Sequence, residues 1–129
     1  MKKSGIINAQ LAYALARLGH TDEVVVCDAG FPIPPGPEFV DLTFKFGVPP
    51  FEIVLLGLLE ELVIEGATAA KEVKEQNPQA HELLASRLPD LKFVSHEDMK
   101  HMSSAARVVV RTGEATPYAN IVLRCGVPF

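Results

Sequence analysis

His20 follows a glycine and leads into a short apolar run, Val24-Val25-Val26-Cys27, which ends at Asp28. His96 closes a second apolar run, and Tyr118 and Asn120 stand two residues apart ahead of a third. These residue types can bind hydroxyl groups and move a proton. Histidine is the natural proton carrier near neutral pH. A phenol and a carboxamide on one face of an extended segment can donate to and accept from hydroxyls. An unpaired carboxylate is costly inside a core, so Asp28 marks the point where its strand emerges. Ligands of open α/β sheets bind beyond the carboxyl ends of the strands. Asp28 and His96 therefore fall at one crevice, joined by the polar loop 112–120 if the strand before that loop runs parallel.

Each residue also has a plainer reading. His20 also reads as a surface residue in a turn, Asp28 as a turn-former before Ala29-Gly30, and His96 as part of a helix start beside Ser95. Tyr118 and Asn120 read as the rim of a strand. His81 and His101 are expected on helices, facing solvent. No metal is expected: His96 and His101 are five apart, off a common helix face, and no His-Glu-x-x-His or Cys-x-x-Cys spacing occurs. Cys27, in an apolar strand, is expected to be inert as a nucleophile. Without a Gly-x-Gly-x-x-Gly or P-loop, no nucleotide cofactor is expected either.

The elements that must hold these groups follow from periodicity and punctuation. Asn8 caps a helix carrying Leu11, Ala14, Leu15 and Leu18 on one stripe, with Gly19 at its end. Residues 23–28 are apolar without alternation and predict a strand covered on both faces. Four prolines among residues 31–37 predict a stiff loop. Alternation predicts a half-buried strand over 39–46, and Pro50 is placed as a first helical residue for a helix carrying Phe51, Val54, Leu55, Leu58 and Leu62. A short strand is expected over 62–64. Asn77-Pro78 starts a helix that stops near Pro89, followed by a strand at 91–94, a helix at 97–105, and strands at 107–111 and 118–125. The reading is a single α/β domain, residues 1–129, with a largely parallel sheet flanked by helices. On one strand, His20 and Asp28 would lie at opposite edges of that sheet. Either the connection folds back, or neighbouring subunits combine their groups.

Bulk properties narrow the class. The 129-residue chain carries a net charge of −4 and scattered basic residues, which argues against a nucleic-acid partner. Its mean hydropathy of +0.20 is high for a small monomer and suggests surface buried between subunits. The longest apolar segment is too short to span a bilayer, and the N-terminus does not read as a secretory signal. Cys27 and Cys125 read as buried free thiols of a reducing cytoplasm.

Several ordered blocks together resemble the ribose-pyranase and fucose-mutarotase family. They are Leu18-Gly19-His20-Thr21-Asp22, Val26-Cys27-Asp28-Ala29-Gly30-Phe31-Pro32-Ile33-Pro34, Gly47-Val48-Pro49, Asn77-Pro78, Ser95-His96-Glu97 and Gly113-Glu114-Ala115-Thr116-Pro117-Tyr118-Ala119-Asn120-Ile121. The resemblance covers essentially the whole chain. It implies a cytoplasmic enzyme that interconverts pyranose and furanose forms of ribose without metal or redox cofactor, since only a C1–O bond breaks. It implies His20 as proton donor, and Asp28, His96, Tyr118, Ala119 and Asn120 as sugar-binding residues. It also implies a ring-forming homo-oligomer with sites between subunits. Gly30, where the fucose branch typically has histidine, and Pro32-Ile33-Pro34 point to the ribose branch. The connection 87–94 is shorter than in some relatives. The alternatives are a fucose-type mutarotase and a non-catalytic sugar-binding module.

Overall fold

A computed structural model describes residues 1–88 and 90–129. Its element order is α1 (Ala9–Ala16), β1 (Glu23–Cys27), β2 (Glu38–Asp41), α2 (Phe51–Glu61), β3 (Ile64–Ala70), α3 (Val73–Gln76), α4 (Pro78–Arg87), β4 (Leu91–Val94), α5 (His96–Ser103), β5 (Val108–Arg111) and β6 (Ile121–Cys125). The strands form one six-stranded sheet in the order β2-β5-β1-β6-β3-β4. Pairings β2–β5, β5–β1 and β3–β4 are parallel, while β6 runs antiparallel to both β1 and β3. Reversing one central strand brings the residues before β6 to the edge where the other strands end.

The unbroken apolar run of β1 has a direct cause. Val24 and Val26 pack on one face with Leu15 of α1 and Leu55 and Leu58 of α2. Val25 and Cys27 pack on the other face with Met99 of α5, Val109 and Val122. Both faces are covered, so alternation has no solvent side to report. Leu55, Leu58, Leu84 and Met99 are fully buried, each worth about 1.5–3 kcal/mol of transfer free energy.

Several expected boundaries move. The α1 helix is capped by Asn8 as expected, but the left-handed turn residue beyond it is Thr21 (φ 70) rather than Gly19. The strand predicted over 39–46 stops at Asp41. Beyond it, Phe44 and Phe46 stand 80% and 83% exposed on a tight turn closed by Phe44 N–H donating to Val48 O at 3.0 Å. Pro50 is the extended N-cap of α2, not its first helical residue. The short strand expected at 62–64 is the start of the seven-residue β3, whose Gly-Ala-Thr-Ala-Ala sequence carries little strand propensity of its own. It is held by pairing on both sides. The last strand starts at Ile121, because Tyr118 turns in the left-handed region (φ 57). The α4 helix ends at Arg87; the stop expected near Pro89 lies outside the described residues. His81 is half-buried against the edge of the Phe93 ring rather than free in solvent. Among the described residues no helix is long and apolar enough to cross a membrane.

Cys27 and Cys125 are both buried and free. Burial, with the nearby Asp28 charge, pushes the Cys27 thiol far above its ordinary range, and burial likewise raises Cys125. Thiolate is the reactive form, so labelling of either thiol must wait for opening of the sheet. Native protein at pH 8 should react with a thiol reagent on the order of 10³-fold more slowly than denatured protein. Fast labelling of Cys27 in folded protein would contradict the two-sided burial of β1.

Candidate functional site

At the edge where β1, β3, β4 and β5 end, Asp28 follows β1, His96 opens α5 after β4, and Tyr118 and Asn120 precede β6. The structure brings Asp28, His96, Tyr118 and Asn120 together. Asn120 is wholly buried. Its Oδ1 accepts from the Asp28 backbone N–H at 2.8 Å, and its Nδ2 donates to Asp28 Oδ2 at 2.9 Å. The Gly30 N–H donates to Asp28 Oδ1 at 2.9 Å. A backbone N–H can only donate, so the amide orientation of Asn120 is fixed. Its Nδ2 must then face a carboxylate oxygen that accepts. Burial raises the Asp28 pKa, and the bonds from Asn120 and Gly30 together with the nearby His96 oppose that rise without cancelling it. Asp28 is half-buried, with lone pairs left on both oxygens for a hydroxyl donor.

The His96 ring stands nearly perpendicular to two aromatic neighbours, Phe31 at 5.8 Å between centroids and Tyr118 at 5.1 Å. Its backbone N–H donates to Glu72 at 3.1 Å, and Ser95 caps the helix by accepting from Asp98 N–H at 3.0 Å. His96 Nδ1 is buried and has no hydrogen-bond partner among the described residues. A buried imidazole nitrogen left unpaired is costly, which makes it a candidate partner for a ligand hydroxyl. Tyr118 and Asn120 do not share a strand face as the spacing suggested. The left-handed turn at Tyr118 swings the phenol to His96, while Ala119 and Asn120 lie beneath, almost without exposure. The open polar groups are those of Asp28, His96 and Tyr118.

The loop that delivers Tyr118 is fixed by a chain of bonds that spacing could not reveal. Glu114 accepts from Phe51 N–H at 3.0 Å, capping α2 from a distance, and from Thr116 Oγ1 at 2.9 Å. Asn77 caps α4 through Oδ1, and its Nδ2 donates to Thr116 Oγ1 and Pro117 O, each at 2.8 Å. Gly113 is required by close approach: a Cβ there would sit 2.2 Å from Val48 O. Glu114 O in turn accepts from Ala29 N–H at 2.9 Å, tying this loop to the one after Asp28.

His20 is not in this cluster. It lies at the opposite edge, where β6 ends, with Thr21 N–H donating to Cys125 O at 2.9 Å. The five residues of β1 separate it from Asp28, a span of about 16 Å at ~3.3 Å per residue. His20 Nε2 is 2.9 Å from Glu65 Oε2, and Glu65 Oε1 is 3.0 Å from Arg124 Nε. Glu65 has no motif around it, and only the strand pairing reveals it. A cavity of about 380 Å³ between the start of α2, α4 and the 114–119 loop does not include Asp28 or His96.

Because both Asp28 oxygens face donors, the isosteric change Asp28→Asn should not be silent. Either amide orientation sets an N–H₂ against Asn120 or Gly30, at a cost of about 1–3 kcal/mol. Denaturant midpoints should fall accordingly. An increase in stability would mean instead that the burial cost of the charge dominates.

The model of the RbsD / FucU transport protein family matches residues 1–128. The chain is 67% identical over its full length to the full length of D-ribose pyranase 1 from Rubrobacter xylanophilus. The structure of Bacillus subtilis RbsD complexed with D-ribose superposes with a TM-score of 0.96 at 44% identity, covering all of both chains. The fucose mutarotase of Streptococcus pneumoniae, solved with L-fucose, shares the fold with a TM-score of 0.78 at 22% identity over 95% of each chain. This chain belongs to the RbsD / FucU family.

Proposed function

We propose that this chain is a D-ribose pyranase, an isomerase that interconverts the pyranose and furanose forms of D-ribose and exchanges its anomers. The observation that carries the reading is the unpartnered, buried His96 Nδ1 beside the hydrogen-bonded pair Asp28–Asn120 and the Tyr118 phenol. That set of acceptors and donors suits a small polyol. Full-length similarity at 67% to a protein named D-ribose pyranase, and at 44% to one solved with D-ribose, supports ribose. The fucose mutarotase is far more distant at 22%.

The reaction needs one proton delivered and one removed. In ribopyranose the C1–O5 bond breaks as O5 gains a proton, and the anomeric hydroxyl loses its proton to leave an aldehyde at C1. The C4 hydroxyl then attacks C1, loses its proton and returns one to the carbonyl oxygen, closing the furanose. His20 delivers the proton to the ring oxygen. Asp28, His96 and Tyr118 hold the hydroxyls and fix which one attacks, while Asn120, with Ala119, holds Asp28 from below. No metal or redox cofactor takes part. The uncatalysed reaction already runs in water, so the roughly 10²–10⁴-fold available from general acid–base catalysis is sufficient.

Within one chain His20 cannot touch a sugar bound at Asp28, since β1 lies between them. The enzyme therefore works as a homo-oligomer in which His20 of one copy completes the Asp28 site of the next. Exposed Phe44, Phe46 and Ile53 offer apolar surface for such contacts. Two free cysteines suit a cytoplasmic location.

Exchange between ribose ring forms, followed by saturation-transfer NMR, tests the reading. His20→Ala should lower the protein-dependent rate at least about 10²-fold and leave ribose binding in place. L-fucose should exchange more slowly than ribose with the unaltered protein. Ribose binding without any acceleration would establish a non-catalytic sugar-binding module instead, and equal rates for His20→Ala would remove His20 as donor.

A further inference from the structure

Strand β4 is a four-residue strand at the edge of the sheet, paired on one side to β3. His96 follows it directly, as the first residue of α5. Two bonds carry the contact between β3 and β4 past the ends of the strands. Lys71 N–H donates to Val94 O at 2.8 Å, which extends the parallel ladder by one step. His96 N–H then donates to the Glu72 carboxylate, at 3.2 Å from Oε1 and 3.1 Å from Oε2. Glu72 stands at the N-cap of α3, yet its side chain makes no capping bond to that helix. The carboxylate reaches across to α5 instead. Val73, next along the chain, is wholly buried and fixes the turn from which Glu72 reaches.

The N–H groups in the first turn of a helix have no partner within the helix. In α5, Ser95 Oγ takes the one from Asp98 at 3.0 Å, and Glu72 takes the one from His96. The helix dipole also favours a carboxylate at this end. Burial pushes the Glu72 carboxyl up, but backbone N–H donors, that of His96 among them, and the nearby His96 and Lys71 outweigh it. The carboxyl is therefore held below its usual range and is ionised at neutral pH. Its bond to His96 is charge-assisted. That bond falls on the backbone of the residue whose ring Nδ1 is buried without a partner among the described residues. The aromatic neighbours Phe31 and Tyr118 pack against the ring but offer that nitrogen no bond. We propose that Glu72 is a positioning residue for His96: by holding the N–H at the start of α5, it aims the imidazole at the bound sugar. This rests on the reading of His96 as a sugar-binding residue.

The test measures ribose Kd by titration, kcat by exchange NMR, and the denaturant midpoint. Glu72→Ala should raise the Kd about tenfold, the worth of one charge-assisted hydrogen bond. Its kcat should stay within about threefold, as for a loss of binding alone. Glu72→Gln, whose Oε1 can still accept from His96 N–H, should bring the Kd back to within about threefold. Glu72→Asp keeps the charge but is a methylene too short to reach, and should bind as weakly as Glu72→Ala. His96→Ala keeps the backbone N–H and loses the ring. In that background Glu72→Ala should leave the Kd unchanged while still lowering the midpoint, because the bond to α5 is lost either way. A cap that serves stability alone would lower the midpoint of Glu72→Ala and leave its Kd normal, which overturns the proposal. So does rescue by Asp and not by Gln, or a further loss of affinity in the His96→Ala background. Normal ribose affinity in His96→Ala removes His96 from the site and the role of Glu72 with it. A raised Kd in His96→Ala beside a normal Kd in Glu72→Ala overturns the positioning role alone.

Discussion

The paired hydrogen bonds between Asp28 and Asn120 are the constraint on which the candidate binding edge depends. One joins backbone to side chain and the other side chain to side chain, across 92 positions of sequence. Together they stitch the end of β1 to the start of β6. Because the Asp28 N–H can only donate, the Asn120 amide has one workable orientation, and that orientation requires an acceptor on Asp28. The carboxylate is thus held in place, half out of water, with lone pairs left on both oxygens. The neighbouring groups follow from this anchor. Gly30 closes a turn on the same carboxylate, and Phe31 and Tyr118 each pack edge-to-face with the His96 ring.

The antiparallel β6 is what makes such a stitch possible. In a wholly parallel sheet, the residues before the last strand would lie at the amino edge, with His20. Reversal carries Tyr118–Asn120 to the carboxyl edge and carries Arg124 to the amino edge, where it meets Glu65 and His20. The sheet therefore holds two incomplete polar clusters, one rich in hydroxyl-binding groups and one with a supported imidazole, kept apart by the rigid length of β1. On the proposed reading, a second copy brings the two together.

Much of this was legible from residues alone, for identifiable reasons. The α/β class, β1, the caps at Asn8 and Asn77, and Asp28 and His96 at strand ends all rest on local chemistry that the fold does not override. The separation of His20 from Asp28 followed from strand direction. What was not legible depended on tertiary contacts. Strand β3 has few strand-forming side chains and exists because β4 and β6 pair with it. The alternation through Phe44 and Phe46 resembles a strand, yet the chain turns back at Val48. The positive φ of Tyr118 breaks the expected pairing of its side chain with Asn120, and no glycine marks the position. The contact of Glu65 with His20 was not legible, because only the register of β3 against β6 places the two side by side.

The central claim is that one copy gives the proton and the next holds the sugar. Mixed assemblies of His20→Ala and Asp28→Ala chains test it directly. Each variant alone should be nearly inactive in ribose ring exchange. If donor and binding edge come from different copies, random assembly of equal amounts leaves about a quarter of the sites with both intact, so about a quarter of normal activity should return on mixing. If both groups serve the same chain, every chain in the mixture carries a defect. No recovery, with mixed assemblies verified by mass, would contradict the shared site.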